Sequence, residues 1–179
     1  MYRLAPREIL TERLSLRPLG PEHASLVFYT YASKAEVTRY LLWQPHQEIE
    51  ETYRFLKQCQ LGWRAGQIFL YGIWTLPHHR LIGSISVQTD PDCHWNLGYA
   101  LSPTAWGMGF ATEAATGLIR EWRYRSGALE FHSFIHPENK PSGRVLEKAG
   151  FQQIRDSSRT AIFPNADPQE VPVIAFVYR

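Results

Sequence analysis

The sequence predicts a mixed α/β fold whose central sheet is mostly antiparallel and carries helices on both faces. Short β-rich runs follow one another without helices between them in the middle of the chain, which is typical of antiparallel neighbours. A long amphipathic helix, with Ala111, Ala115, Leu118 and Trp122 on one face, separates two later runs. A helix placed between two strands favours a parallel pair at that single point of the sheet.

The first part of the chain begins with a strand and continues mainly as helix. Leu14 and Leu16 alternate with polar side chains in a period of two, which predicts a half-buried strand that ends at Pro18. Residues 21–64 then follow a helical pattern that is interrupted near Pro45, in the stretch WQPHQE. We expect two or three helices with an internal loop in this region.

Three β-rich runs, IFLYGIW, LIGSISV and WNLGYAL, occupy the middle of the chain. The first two are joined by TLPHHR and predict a hairpin, and the third follows a turn signal at Asp90 and Pro91. The long helix is expected to end near Gly127, and LEFHSFI is predicted to pair in parallel with WNLGYAL. A short helix over residues 139–149, ended by Gly150, and the strands FQQIRDS and VPVIAFVYR complete the chain, with FPNADPQE as a turn-rich loop.

Composition and charge narrow the classes of function. The chain has 179 residues, 44% of them hydrophobic, and we expect one domain over residues 1–179 with its core over 9–179. The formal net charge of +2 is scattered, which disfavours binding to nucleic acid. Cys59 and Cys93 lack CxxC spacing and predict neither a metal site nor a disulfide. No segment has the pattern of a signal peptide or a membrane span, so we expect a cytoplasmic protein without membrane contact.

The stretch AWGMGFATEA, residues 105–114, places two glycines just before the long helix. The unpaired N–H groups of a first helical turn and the helix dipole favour an anion, and glycines let a phosphate approach the backbone. A P-loop needs a lysine after Gly109, and a dinucleotide fingerprint needs Gly or Ala where Thr112 stands, so neither motif fits. Taken alone, the turn is equally well explained as a tight corner between a strand and a helix.

Two further stretches make the pattern more specific, LTERLSLRPL near the N-terminus and HPENKPSGRVLEKAGF over residues 136–151. Together with WGMGFATEA they resemble the GCN5-related N-acetyltransferase (GNAT) family, and within it the branch of ribosomal-protein N-terminal acetyltransferases of the RimJ/RimL type. The resemblance covers nearly the whole chain, including the order of its elements. It implies a sheet that splays at the parallel pair, acetyl-CoA as co-substrate, and no metal.

The resemblance also implies which residues bind the cofactor. In the family, backbone N–H groups of the glycine turn bind the pyrophosphate of acetyl-CoA, and the strand before the turn pairs with the pantetheine. Trp106 stands where the family has Gln or Arg, which puts a side-chain contact there in question but leaves backbone binding intact. The expected cofactor-binding residues are Leu101, Trp106, Gly107, Met108, Gly109, Phe110, Ala111, Thr112, Asn139 and Ser142.

Asn139 and Ser142, in the stretch ENKPS, match the N-x-x-S pattern of this branch. The resemblance implies that the asparagine helps to hold the cofactor and that the serine lies near its sulfur as a candidate proton donor. An asparagine that precedes a helix with Pro141 in its first turn is equally typical of an ordinary N-cap. A serine in that first turn is also commonly just solvated.

The general base stays open at the level of the sequence. Related enzymes often carry a glutamate at the position of Asn96, and an amide cannot accept the proton. Strand alternation places His94 on the same face as Asn96, and a histidine has a suitable pKa for the task. His136, at the end of the next strand, and a water chain without a dedicated base are the alternatives.

The acceptor is expected to contact Arg39, Tyr40 and Trp43 in the stretch TRYLLWQPH, because aromatic rings can hold a cation. Trp43 is equally suited to core packing. Neither this segment nor the loop between the last strands carries an obvious acidic cluster, which argues against a polyamine or an aminoglycoside as acceptor.

The resemblance therefore implies direct transfer of an acetyl group from acetyl-CoA to a primary amine in a ternary complex, and we expect the acceptor to be either a protein N-terminal α-amine or a small-molecule amine. We expect the protein to act as a monomer or a homodimer. Because Asn96 replaces the carboxylate, a non-catalytic sensor that binds acyl-CoA is the alternative.

Overall fold

The computed structural model describes residues 5–90, 94–127, 130–155 and 157–179. It confirms a mixed α/β fold with helices on both faces of the sheet. The strands are β1 (Ile9–Leu10), β2 (Leu14–Pro18), β3 (Ile68–Thr75), β4 (Leu81–Thr89), β5 (Trp95–Leu101), β6 (Phe131–Ile135), β7 (Gln152–Ile154), β8 (Thr160–Phe163), β9 (Asp167–Pro172) and β10 (Ile174–Tyr178). The α-helices are α1 (Ala24–Val27), α2 (Ala35–Thr38), α3 (Ile49–Ala65), α4 (Phe110–Ser126) and α5 (Lys140–Lys148).

The main sheet has the order β1-β2-β3-β4-β5-β6-β10-β7, and every neighbouring pair is antiparallel except β5 with β6. That parallel pair consists of two registered positions, Trp95 with Phe131 and Asn96 with His132. Beyond Asn96, β5 continues to Leu101 in register with β4 alone. The two strands therefore separate toward the carboxyl end of β5, where α4 begins.

Two apolar clusters cover the faces of the sheet. One packs α4 and α5 on the strands, with Leu118, Trp122 and Leu146 among its members. The other packs the helices that precede β3, through residues such as Val27 and Leu56. Helix α4 has its apolar side chains at the spacing that the sequence predicts, so its position follows from burial of that face.

Glycines end the long helices in the left-handed conformation that other residues rarely adopt. Gly109, with φ of 79°, precedes α4, and Gly127, with φ of 67°, follows it, as the sequence predicts. Between α1 and α2 the chain forms a π-helical turn over residues 28–32. The expected loop lies between α2 and α3.

The segment before the last strand differs from the expectation. FPNADPQE was expected to be a turn-rich loop, but β8 and β9 form a separate two-stranded hairpin with Phe163 registered to Asp167. Phe163 is 2% exposed and its ring contacts that of His136, so burial of one aromatic side chain anchors the hairpin. Pro91 and Cys93 lie outside the described residues. Within the described ranges, no helix is long and apolar enough to cross a membrane.

Candidate active site

A cavity of about 1280 Å³ opens where β5 separates from β6. One end is formed by the turn before α4 and the first turns of α5. The other is formed by α2 with the residues after it, and by the tip of the β8–β9 hairpin. Ser142 lines the same cavity as the residues of both ends. We refer to the two parts as the turn end and the hairpin end.

The turn end has the geometry of an anion site. Gly107 and Gly109 have φ of 74° and 79°, and both line the cavity just before the first turn of α4, where helical N–H groups lack intrahelical partners and favour an anion. The indole N–H of Trp106 donates to the carbonyl of Leu101 at 2.9 Å, which holds the ring against the end of β5. The side chain at this position is therefore already engaged within the protein. Of the turn residues named in the sequence analysis, Leu101, Trp106, Gly107, Gly109, Phe110, Ala111 and Thr112 line the cavity, whereas Met108 does not.

Asn139 acts as the N-cap of α5. Its side-chain oxygen accepts a hydrogen bond from the Ser142 N–H at 3.3 Å, and it also lines the cavity. The two explanations offered by the sequence are thus compatible. Arg144 and Lys148, further along the same helix, line the cavity too and add positive charge beside the turn.

Ser142 is paired with Tyr99, a residue that no motif in the sequence indicates. The Tyr99 hydroxyl lies 2.6 Å from Ser142 Oγ and 3.0 Å from the Ser142 carbonyl oxygen. Burial raises the pKa of the Tyr99 hydroxyl more than its hydrogen bond with Ser142 lowers it, so the phenol stays neutral. Tyr99 can therefore orient the serine hydroxyl but is poorly suited to releasing its own proton.

His94 and Asn96 do not line the cavity. Asn96 is 6% exposed, and its amide donates to Asp90 Oδ2 at 3.0 Å and to the His94 carbonyl at 3.3 Å. The His94 ring lies 4.6 Å from that of His132. Both candidates stand at the closed end of the β5–β6 pair, and Asn96 is about 10 Å along the strand from Tyr99 at the usual rise per residue.

The hairpin end contains a carboxylate backed by a buried histidine. His136 is 3% exposed; its Nδ1 accepts the Glu138 N–H at 3.1 Å, and its Nε2 is 3.1 Å from Asp167 Oδ2. Because Nδ1 accepts, the proton of the neutral ring is on Nε2 and is donated to Asp167. Asp167 lines the cavity, whereas the His136 ring lies behind it.

A second carboxylate lies beside the first. The Tyr40 hydroxyl donates to Glu138 Oε2 at 3.2 Å, and the Tyr40 ring stacks on His136 at 4.9 Å. Glu138 and Tyr40 both line the cavity. Two carboxylates therefore lie together at the hairpin end, a region for which the sequence predicts no acidic cluster. No sequence pattern indicates this pair, because Glu138 and Asp167 stand in different segments and only the hairpin brings them together.

Of the two remaining residues expected to contact the acceptor, one lines the cavity and the other does not. Arg39 lines the cavity with its guanidinium 5.1 Å from the centre of the Tyr40 ring. Trp43 is packed against the second apolar cluster and does not line the cavity. Its carbonyl, and that of Thr38, accept hydrogen bonds from the Asn165 side-chain amide at 2.7 and 2.8 Å. Asn165 thereby fastens the hairpin tip to the segment that carries Tyr40.

Comparison with known proteins gives a consistent result. The sequence model of the acetyltransferase (GNAT) domain family matches residues 13–152. YoaA of Bacillus subtilis, an uncharacterized N-acetyltransferase, is 26% identical over 169 residues, which cover 93% of this chain and 94% of the relative.

Two solved structures illustrate the likeness of fold. RimL, a ribosomal alpha-N-protein acetyltransferase in complex with coenzyme A, superposes with a TM-score of 0.81 at 18% identity, over 95% of this chain and 96% of that one. The microcin self-immunity acetyltransferase MccE, in complex with acetyl-CoA and AMP, gives a TM-score of 0.82 at 18% identity, over 97% of both chains.

Proposed function

This chain belongs to the GNAT acetyltransferase family and is an acetyl-CoA-dependent N-acetyltransferase, and from that premise we propose that it acetylates a primary amine bound at the hairpin end of the cavity. The acceptor is an N-terminal α-amine or the amine of a small molecule. The observation that carries the proposal is the single cavity that joins the glycine turn, Ser142 and the carboxylates of Glu138 and Asp167.

The residues at the turn end fit the anionic part of acetyl-CoA. The N–H groups at the start of α4 have no partners within the helix, and a phosphate satisfies them. Arg144 and Lys148 line the same part of the cavity with positive charge. When bound, acetyl-CoA supplies the acetyl group as a thioester.

Residues at the hairpin end, together with Ser142 between the two ends, fit the chemistry of acetyl transfer. An amine attacks only when it is neutral, so a group at the hairpin end must take its proton. Asp167 is the candidate, since its carboxylate lines the cavity and the neutral His136 behind it fixes its position. Ser142 Oγ–H is the candidate donor to the departing sulfur. The ammonium gives one proton to Asp167, which passes it to solvent, and the nitrogen gives up a second proton after it has formed the bond to the acetyl carbon. When the C–S bond breaks, Ser142 protonates the departing sulfur and recovers its own proton from that second one, so the net reaction releases one proton.

A thiol-release assay with calorimetry tests this function. The purified protein is titrated with acetyl-CoA and then screened for release of free CoA with N-terminal peptides and small amines. We expect turnover on one class of amine. Ser142→Ala should lower kcat about a hundredfold while acetyl-CoA binds as before. Ser25→Ala, an exposed serine on α1, is the matched control. Binding without turnover on any amine contradicts the catalytic proposal and favours the acyl-CoA sensor.

A further inference from the structure

An ion pair behind the glycine turn joins the start of β2 to the first turn of α4. Arg13 Nε donates to Glu113 Oε2 at 2.7 Å, and the Arg13 backbone N–H donates to Oε1 at 2.8 Å. The Thr11 hydroxyl donates to Oε1 at 2.6 Å. The two partners are 100 residues apart in the chain. All three donors to this carboxylate therefore come from the segment Thr11–Arg13.

Arg13 also contacts the turn itself. One terminal nitrogen donates to the Met108 carbonyl at 3.1 Å, and the guanidinium lies 4.6 Å from the centre of the Phe110 ring. A β-carbon placed on Gly109 would be 3.5 Å from the other terminal nitrogen. Arg13 thus spans three consecutive residues of the turn. Met108, the residue it bonds, is the turn residue that does not line the cavity.

This contact matters because the turn contains two glycines. Glycine has more conformational freedom than any other residue, so an unsupported turn would lose much entropy when it closes around an anion. A guanidinium fork that holds the carbonyl and the ring from behind keeps the turn in one shape before the ligand arrives. Such preorganisation lowers the cost of binding.

The charge of Glu113 gives the pair a second role. Partial burial by itself would raise the pKa of Glu113, but hydrogen bonds from Thr11 and Arg13 and the nearby guanidinium charge outweigh it and hold the pKa below the ordinary value. Glu113 is therefore an anion in the first turn of the helix that receives the pyrophosphate. Without Arg13 that carboxylate would repel an anionic ligand.

We propose that Arg13 is a positioning residue for the phosphate-binding turn, which it holds in shape while it offsets the charge of Glu113, and that it thereby sets the affinity for acetyl-CoA. The inference rests on the proposed function. It gives a physical role to the stretch LTERL, which the sequence associates with the family but which lies outside the cavity.

Calorimetric titration with CoA, which needs no turnover, tests the proposal in four variants. Arg13→Ala should raise the Kd about tenfold, because the turn loses its support and the guanidinium charge no longer offsets the charge of Glu113. Arg13→Ala combined with Glu113→Gln should recover at least about threefold of that loss, because the repulsive charge is gone. Arg13→Lys keeps the charge without the fork and should lie between wild type and Arg13→Ala. Arg54→Ala, an exposed arginine on α3, controls for net charge.

The readouts separate a positioning role from a general loss of stability. In Arg13→Ala the KM for the acceptor should stay unchanged, and the melting temperature should shift little, because the Arg13 side chain is 45% exposed and exposed ion pairs contribute little to folding.

Unchanged CoA affinity in Arg13→Ala overturns the proposal. Equal affinities of Arg13→Ala and the double variant overturn the charge-offset role. If the wild-type protein itself binds no CoA, the proposed function fails, which is a different result from an unaffected Arg13→Ala. Arg13→Lys keeps the test decisive if Arg13→Ala does not fold.

Discussion

The turn end and the hairpin end of the cavity are built in different ways. The turn end comes from one continuous stretch, residues 105–112, of which all but Met108 line the cavity, with the first turns of α5 beside it. The hairpin end draws Tyr40, Glu138 and Asp167 from three separate segments, which the Asn165 amide and the His136 ring hold together. A site made of backbone geometry can be recognised in a sequence, whereas a site made of converging side chains cannot.

The two ends also differ in charge. The N–H groups at the start of α4, with Arg144 and Lys148, make the turn end positive, whereas the hairpin end carries Glu138 and Asp167 beside Arg39. Each carboxylate accepts a hydrogen bond from a neutral donor, Tyr40 or His136. The polarity fits an anionic donor molecule at one end and an ammonium at the other, with Ser142 between them. Variants at one end should therefore leave binding at the other end unchanged.

The largest effect is expected when the backbone of the turn is blocked. Gly109→Val places a β-branched residue at φ of 79° next to Arg13, and should weaken acetyl-CoA binding more than about a hundredfold in calorimetry. Gly127→Val is the matched control, because it puts similar strain, about 1–2 kcal/mol, at the other end of the same helix and away from the cavity. Equal CoA affinities of these two variants would contradict the assignment of the turn.

A change at the hairpin end should leave the turn end untouched. Asp167→Asn removes the candidate base and should lower kcat/KM for the acceptor about a hundredfold, with unchanged Kd for acetyl-CoA. Glu50→Gln, which neutralises an exposed carboxylate on α3, should have no effect in steady-state kinetics. Full activity of Asp167→Asn would exclude Asp167 as the base.

The Tyr99–Ser142 pair lies between the two ends, and a variant of it should have a smaller effect on kcat. This effect tests whether the two hydroxyl groups act together. Tyr99→Phe removes the hydroxyl that lies 2.6 Å from Ser142 Oγ and should lower kcat about tenfold. If Tyr99 acts by orienting Ser142, the same change in the Ser142→Ala background should cost nothing further. Additive losses in this double-mutant cycle would assign Tyr99 a role independent of Ser142.

The smallest effect concerns stability at acid pH. The pKa of Glu113 is held below its ordinary value of 4.5 in the folded protein, so the folded state binds fewer protons there than the unfolded state. Its stabilising contribution is present above pH 4.5 and is lost as the pH falls through the folded value. Near neutral pH the melting temperature of wild type should be higher than that of Glu113→Gln, and this difference in melting temperature should shrink below pH 4.5. A pH-independent difference would show that the carboxylate charge contributes nothing.

The sequence by itself determined the features that depend on neighbours along the chain. Hydrophobic periodicity located α4 and the strands of the sheet, and the glycines at 109 and 127 marked both ends of the helix, because burial patterns and left-handed φ values are local properties. The motif around Asn139 and Ser142 and the glycine turn identified the family. The missed hairpin of β8 and β9 shows the limit, since its pairing depends on a buried Phe163 rather than on alternation.

Only the tertiary structure decided which polar groups meet. Arg13 pairs with Glu113 across 100 residues, and Tyr99 reaches Ser142 from a different element. Asn96, which the family resemblance brought into question as the base, and His94, which strand alternation places on the same face, lie at the closed end of the β5–β6 pair and outside the cavity lining. Strand alternation predicts which face of the sheet a side chain lies on, but not whether it lies near the point where two strands separate. The place where two strands separate is set by packing of the whole sheet, and that place determines which residues surround the cavity.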